Sequence, residues 1–149
     1  MKTLSYAIVI LMTSLFIPSG AQNNNEPDAI LGTWITGSGK AHVEIRKFNN
    51  TYYGQIVWLK EPNDANGKPK TDKNNSDRSR HNNPILGLKM LLGFSYKGDK
   101  QWKDGTIYDP ENGSTYSCKI EMTDANSLNI RGYVGVSLLG RTDVWKRIK

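Results

Sequence analysis

Apolar and polar positions alternate with a period of two through most of the chain after residue 40. Ala41, Val43 and Ile45 alternate with His42, Glu44 and Arg46, the spacing of a strand buried on one face. The next run, Thr51 to Lys60, is apolar on both sides, so the turn before it has to orient it. A two-residue turn at Asn49 and Asn50 sets Phe48 against Thr51, Ile45 against Gly54, Val43 against Ile56 and Ala41 against Trp58. That register turns Ile56 and Trp58 inward and leaves Tyr53, Gln55 and Val57 outside with Glu44 and Arg46.

A second hairpin is written around Pro110 to Gly113. Pro110 presets the first turn position, Asn112 tolerates the third, and Gly113 supplies a positive φ, so this P-E-N-G suits a four-residue loop. Asp109 then faces Ser114, Ile107 faces Tyr116 and Gly105 faces Cys118. Ile107, Tyr116, Cys118, Ile120 and Met122 share an apolar face, whereas Thr115, Ser117, Lys119 and Glu121 share a polar one. Further on, Leu128, Ile130, Val134 and Val136 alternate with Asn129, Arg131, Tyr133 and Gly135, with Gly132 on the inward side. Gly140 turns the chain into a last strand from Arg141 to Arg147.

Two stretches break the pattern. The segment 61–84 carries almost nothing apolar, and loops of that length in compact domains are either functional covers or disordered. The segment 85–94 is strongly apolar and suits a buried strand or a short plug helix, with Gly87 and Gly93 weakening the helix. Near the start, Gly32 and Trp34 open a first strand that stops at the Gly37 to Gly39 turn. About eight strands at regular spacing, without a long helix, predict an all-β fold: an antiparallel meander closed as a barrel.

Composition adds an address. The 149 residues fit one domain, but the start does not belong to it. Lys2 precedes an apolar run from Leu4 to Ile17, and Ser19 and Ala21 suit a cleavage site, so residues 1–21 read as a secretory signal. Residues 22–29 form a polar, flexible leader and 30–149 a single barrel domain, exported to the periplasm or outside the cell. The run is short for a bilayer span and ends at Pro18 and Gly20, and no cysteine stands directly after it, so the expectation is a cleaved signal and not a membrane or lipid anchor. The formal charge of +6 is scattered among acidic residues, so a solvated surface explains it better than a nucleic-acid partner.

The inventory for catalysis and metals is thin. One cysteine, Cys118, sits on the apolar face as a small core hydrophobe. His42 and His81 lie in different elements, which argues against a zinc site, and the sequence calls for no cofactor. Gly37 to Lys40 fails as a phosphate loop because Ala41 stands where Ser or Thr is needed, and Asp64 to Gly67 fails as a calcium loop. Asp72 and Asp109 could pair as carboxylates at a rim, but Asp109 more simply caps its own turn, and Asp72 with Arg78 and Arg80 suits an ion-paired loop anchor.

The segments G-T-W, Y-Y-G-Q-I-V-W-L, the apolar run 85–94, G-T-I-Y-D-P-E-N-G-S-T-Y and L-N-I-R-G-Y-V-G-V-S-L-L-G-R-T-D-V-W-K-R together resemble the DUF2147 family of exported bacterial proteins. The chain departs from that family's pattern at Asn75 to Asp77 and at Arg80 to Pro84. The resemblance implies a lipocalin-like barrel and no assigned activity. It also implies a basic residue packing over Trp34 at the closed end, Arg147 or failing that Arg141, as a structural device.

An eight-strand barrel encloses a space that side chains fill or a small ligand occupies. Val43, Ile45, Ile56, Trp58, Ile107, Tyr116, Ile120 and Ile130 are the expected lining, suited to a hydrophobic molecule. The leading expectation is therefore a carrier or sensor of a small apolar or amphipathic ligand. An envelope interaction protein with an exposed aromatic patch at Tyr53, Tyr133 and Trp145 comes second, and an enzyme using Asp72, Asp109 and an arginine third.

Overall fold

The computed structural model describes residues 27–148. The expected signal segment and the leader as far as residue 26 lie outside that range. Eight strands follow one another as a closed antiparallel meander. They are β1 (Gly32–Ile35), β2 (Ala41–Phe48), β3 (Thr51–Leu59), β4 (Lys89–Tyr96), β5 (Gln101–Asp109), β6 (Ser114–Asp124), β7 (Ser127–Tyr133) and β8 (Arg141–Arg147). The all-β barrel anticipated from the alternation is thus the fold of the chain.

Turn chemistry sets the register where the sequence placed it. Asp109 pairs with Ser114, Ile107 with Tyr116 and Gly105 with Cys118. Gly113 N–H donates to the Asp109 carbonyl at 2.8 Å with the glycine at φ 73°, closing the four-residue loop. Val43 pairs with Ile56, Ile45 with Gly54 and Phe48 with Thr51, again as the Asn49 turn dictates.

That register fails at the far end of β3. His42 pairs with Trp58 and Ala41 with Leu59, so Val57 is an extra residue on the β3 side and forms a bulge. One inserted residue reverses the facing of everything beyond it. Leu59 turns inward, whereas Trp58 turns outward, 42% exposed and stacked on the His42 ring at 4.2 Å. Trp58 is therefore not a lining residue. Alternation also stops at Tyr133, leaving Val134 and Val136 in an exposed loop instead of on the inner face.

The apolar run 85–94 resolves as Ile85 buried ahead of the strand β4. Leu91 and Phe94 are both buried although they lie three positions apart, because Gly93 at φ 74° distorts the strand between them. Spacing by three is why strand and helix were inseparable from the sequence.

One end of the barrel is solid. Trp34, Trp102, Phe94, Val43, Ile45, Leu91, Ile120, Met122 and Leu128 fill it, none more than 3% exposed. Cys118 is buried with them, and burial pushes its thiol pKa up to about 12, away from reactive thiolate chemistry. The 3-10 turn Pro27–Ile30 covers this end. Trp102 Nε1 donates to the Pro27 carbonyl at 3.0 Å, Trp34 Nε1 to that of Ile30 at 3.0 Å, and Lys47 and Tyr52 both reach the Asp28 carboxylate. The expected leader thus gives its last three residues to the domain.

The seam between β1 and β8 closes here. It has two residue pairs, Trp34 with Arg147 and Ile35 with Lys146. The Arg147 guanidinium lies 4.1 Å above the Trp34 ring and donates to the carbonyls of Ala125, Leu31 and Ala29 at 2.8, 2.8 and 2.7 Å. A Cβ on Gly32 would sit 2.9 Å from Arg147 Nη1, which explains a glycine there. Arg147, not Arg141, is the capping cation.

Trp34→Ala should destabilise the domain by about 3–5 kcal/mol in denaturant unfolding, as a buried aromatic truncation. Arg147→Ala should cost about 2 kcal/mol, the scale of hydrogen bonds made by a charged group. The double mutant should fall short of the sum by about 1 kcal/mol, the direct cation–ring coupling. Strict additivity would deny the contact an energetic role.

Candidate functional site: the open end of the barrel

The opposite end is hollow. A cavity of about 1040 Å³ runs from the middle of the barrel to the rim formed by the β1–β2 turn, the segment 60–85, the Pro110 to Gly113 hairpin and the β7–β8 loop. Ile56, Ile130 and Trp145 are buried in its walls, and Ile107 and Tyr116 stand half-buried against it. Ala41, Leu59, Ile85, Met90 and Gly132 add to the apolar surround, and Val134 and Leu139 border it from the β7–β8 loop.

Four of the eight expected lining residues therefore line the space: Ile56, Ile107, Tyr116 and Ile130. Val43, Ile45 and Ile120 do face inward but belong to the solid end, and Trp58 is outside. Alternation shows which face a residue is on, but not how far along the barrel axis packing is complete. Leu59 was missed because the Val57 bulge has no sequence marker.

Trp145 was placed on the surface by the sequence reading, yet it is 1% exposed and lines the cavity. A signal was present. Arg147 has to face inward to cover Trp34, and residues two apart on a strand share a face. Trp145, Asp143 and Arg141 follow onto the inner side, where all three line the cavity. Asp143 Oδ2 accepts from Trp145 Nε1 at 2.7 Å and from Gly37 N–H at 3.2 Å, tying the β1–β2 turn to β8.

The polar segment 61–84 is an ordered cover, folded on itself by bridges between Asn63 and Pro69 and between Thr71 and Pro84. Its hub is Asp72, 1% exposed. Asp72 Oδ1 accepts from the Tyr108 hydroxyl at 2.6 Å and Oδ2 from Asn75 Nδ2 at 2.7 Å, so both oxygens of the buried carboxylate are engaged. Asn74 Nδ2 donates to the carbonyls of Pro110 and Glu111, at 3.2 and 2.9 Å, and a Cβ on Gly113 would collide with the Asn74 carbonyl. The segment is thus latched to the hairpin tip.

Asp109 lines the cavity, but its Oδ1 accepts from Glu111 N–H at 2.8 Å, the turn-capping role. Arg80 pairs with Asp77 at 3.4 Å, and Arg78 and Arg80 are exposed on the 3-10 turn Arg78–Arg80. Neither arginine reaches Asp72 or the cavity wall, so the ion-paired anchor is replaced by a Tyr108–Asp72–Asn75 anchor. His42 lies on the outer face against Trp58, and His81 Nε2 is 2.7 Å from the Asn75 carbonyl.

The rim carries both signs of charge. Lys40 pairs with Glu111 at 2.9 Å and Lys70 with Glu61 at 3.4 Å. The charged ends of Lys60, Lys73 and Arg141, also at the rim, have no ion-pair or hydrogen-bond partner among the described residues.

A closed eight-strand meander, solid at one end with an arginine over the first-strand tryptophan and hollow at the other, is a lipocalin-like barrel. A Helicobacter pylori structure, the protein HP1028 described as belonging to the lipocalin family, superposes with a TM-score of 0.70 at 23% identity, over 80% of this chain and 82% of that one. Residues 32–147 match the model of DUF2147, described as an uncharacterized protein conserved in bacteria, and the chain belongs to that family. No curated protein matches it. No helix among the described residues is long and apolar enough to cross a membrane.

Burial, and then the Asp72 hydrogen bond, push the Tyr108 pKa up to about 12 from 10.0. A group protonated more readily in the folded state adds stability that is intact below its unfolded pKa and is lost as pH rises through the folded one. Stability should therefore decline between about pH 10 and 12, and Tyr108→Phe should flatten that part of the curve relative to the parent. The same substitution should cost about 1–3 kcal/mol at neutral pH by leaving a buried carboxylate oxygen without its donor. Parallel pH profiles for the two proteins would contradict the assignment.

Proposed function

We propose that the protein binds a small amphipathic molecule, as a carrier or sensor and without chemistry, in the open half of its barrel. The observation that carries this reading is the cavity itself. Its volume of about 1040 Å³ is at the upper end of what small-molecule sites enclose. A barrel of eight strands is narrow enough for side chains to fill, and the other half of this one is filled. Hollowness at one end is maintained by Gly132, the half-buried Ile107 and Tyr116, and the latched cover.

The wall chemistry supports a molecule with two unlike ends. Ile56, Ile107, Ile130 and Trp145 offer an apolar tail no buried polar partner, whereas the rim offers charge at Lys60, Lys73 and Arg141. Asp72 and Asp109, the carboxylates that an enzyme reading would use, are committed to the Tyr108 anchor and to a turn. Export to the periplasm or beyond remains part of the proposal, from the signal-like residues 1–21.

Purified protein should release an amphiphile on organic extraction, and native mass spectrometry should find the corresponding added mass. Ile107→Trp, which fills the cavity from a half-buried wall position, should weaken binding of a fluorescent fatty-acid probe at least tenfold, about 1.4 kcal/mol. An unchanged melting temperature would keep that result interpretable. Probe affinity equal to the parent's would remove the ligand from the cavity.

A further inference from the structure

Tyr116 stands where the apolar wall of the cavity gives way to the rim. Its β5 partner is Ile107, and Cys118, the next residue on the same face, is already buried in the solid end. On the rim side, Asn112 of the hairpin tip donates from Nδ2 to the Tyr116 hydroxyl oxygen at 3.0 Å. A second contact fixes that direction. Asn112 Oδ1 accepts from the Ser114 N–H at 2.8 Å, so the amide oxygen is occupied and the NH2 group must be the end that meets the phenol. The Tyr116 oxygen is therefore the acceptor in this contact, and its own proton has to go elsewhere.

No acceptor among the described residues takes that proton. Neighbouring donors are committed: the Tyr108 hydroxyl donates to Asp72, and Trp145 Nε1 to Asp143. Beside the phenol the wall is bare. Gly132 faces inward there, and a Cβ on it would lie 3.8 Å from Tyr116 Cβ and 3.3 Å from Ile107 Cγ2. Water accepts the proton when no guest is bound, but a guest that displaces this water without supplying an acceptor leaves a donor unpaired against an apolar wall. Net charge does not choose the head group, because lysines and arginine are matched in number by carboxylates around the opening. The direction of one hydrogen bond does. Ile107 across the ladder offers no acceptor, so an oxygen that accepts without bringing a proton of its own fits best.

We infer that Tyr116 determines the head-group specificity of the cavity, donating to an acyl oxygen of the guest while the alkyl chain lies along Ile56, Ile130 and Trp145. Asn112 is the positioning residue that keeps the hydroxyl proton off the hairpin and free for the guest. This rests on the cavity being an amphiphile site and names the chemistry of the polar end it accepts.

Affinities of the parent and two variants for decanoate, methyl decanoate and decylammonium, measured at neutral pH by displacement of a fluorescent amphiphile, test this. Tyr116→Phe keeps the ring and removes the proton. It should weaken decanoate about tenfold or more and the ester about fivefold, the scales of hydrogen bonds to charged and neutral acceptors, and leave decylammonium, which carries no acceptor, within about twofold. A loss shared by acid and ester assigns a carbonyl oxygen in general, and a loss confined to the acid assigns a free carboxylate; both support the contact. Asn112→Asp replaces the amide donor by an acceptor of the same shape, which takes the hydroxyl proton for itself. Any ester affinity lost in Tyr116→Phe should then be lost here too, with no charge on the ester for the new carboxylate to repel. Parent-like decanoate affinity in Tyr116→Phe, an equal loss for all three ligands, or an ester weakened by Tyr116→Phe but not by Asn112→Asp would overturn the proposal and leave the carrier standing. A parent that binds none of the three removes both.

Discussion

Closing a meander of eight strands requires the first to find the last, and here the first is four residues long. A seam of two residue pairs contributes little ladder hydrogen bonding, so the stabilisation comes from the Trp34 indole and the Arg147 guanidinium above it. Arg147 reaches carbonyls in the opening 3-10 turn, in the residue after it and in the β6–β7 turn, and so joins the two ends of the barrel domain to a hairpin formed between them. Partial burial lowers its pKa, yet an arginine remains charged at any physiological pH, which suits a permanent clasp better than a lysine would. Trp34 beneath it is fully buried and hydrogen-bonded, which fixes the height at which the solid end of the core begins.

A clasp at one end leaves the other end free to be different. With Trp34, Trp102 and Phe94 concentrated beside the seam, the solid end carries a dense core, and the hollow half need only remain shaped. It keeps its shape through polar devices at the rim instead of packing. Asp72 takes both its hydrogen bonds from β5 and the cover, Asn74 latches the cover to the hairpin, and Asp143 holds the first turn against β8. Polar anchoring is well suited to a rim that meets water on one side and borders an apolar hollow on the other.

How much of this was legible follows from what each signal encodes. Hairpin registers were readable because turn residues such as Gly113 dictate backbone geometry locally. The bulge at Val57 was not, because an inserted apolar residue among apolar residues leaves alternation ambiguous, and Trp58 was lost to the outside as a result. Facing could be read for Val43 and Ile120, but depth could not, since whether a position belongs to the solid or hollow end depends on residues that are distant in sequence. Trp145 is different: its facing was implied by Arg147 two residues away, and treating each aromatic separately overlooked it. Arg78 and Arg80 attracted attention as charges near Asp72, but a buried carboxylate here is served by a phenol and an amide, which carry no charge to count in a sequence.

The β7–β8 loop shows the opposite problem, an apolar pattern that does not mean burial. Val134 and Val136 continue the alternation of Leu128 and Ile130, and a core reading follows naturally from period alone. Arg131 is what reverses it. Its guanidinium satisfies the carbonyls of Ser137 and Leu138 next to the strand, so the backbone is bound where side chains would otherwise pack and the aliphatic groups are left facing solvent. Exposing four such groups is unfavourable for the isolated domain, since apolar surface left in water gains nothing from folding.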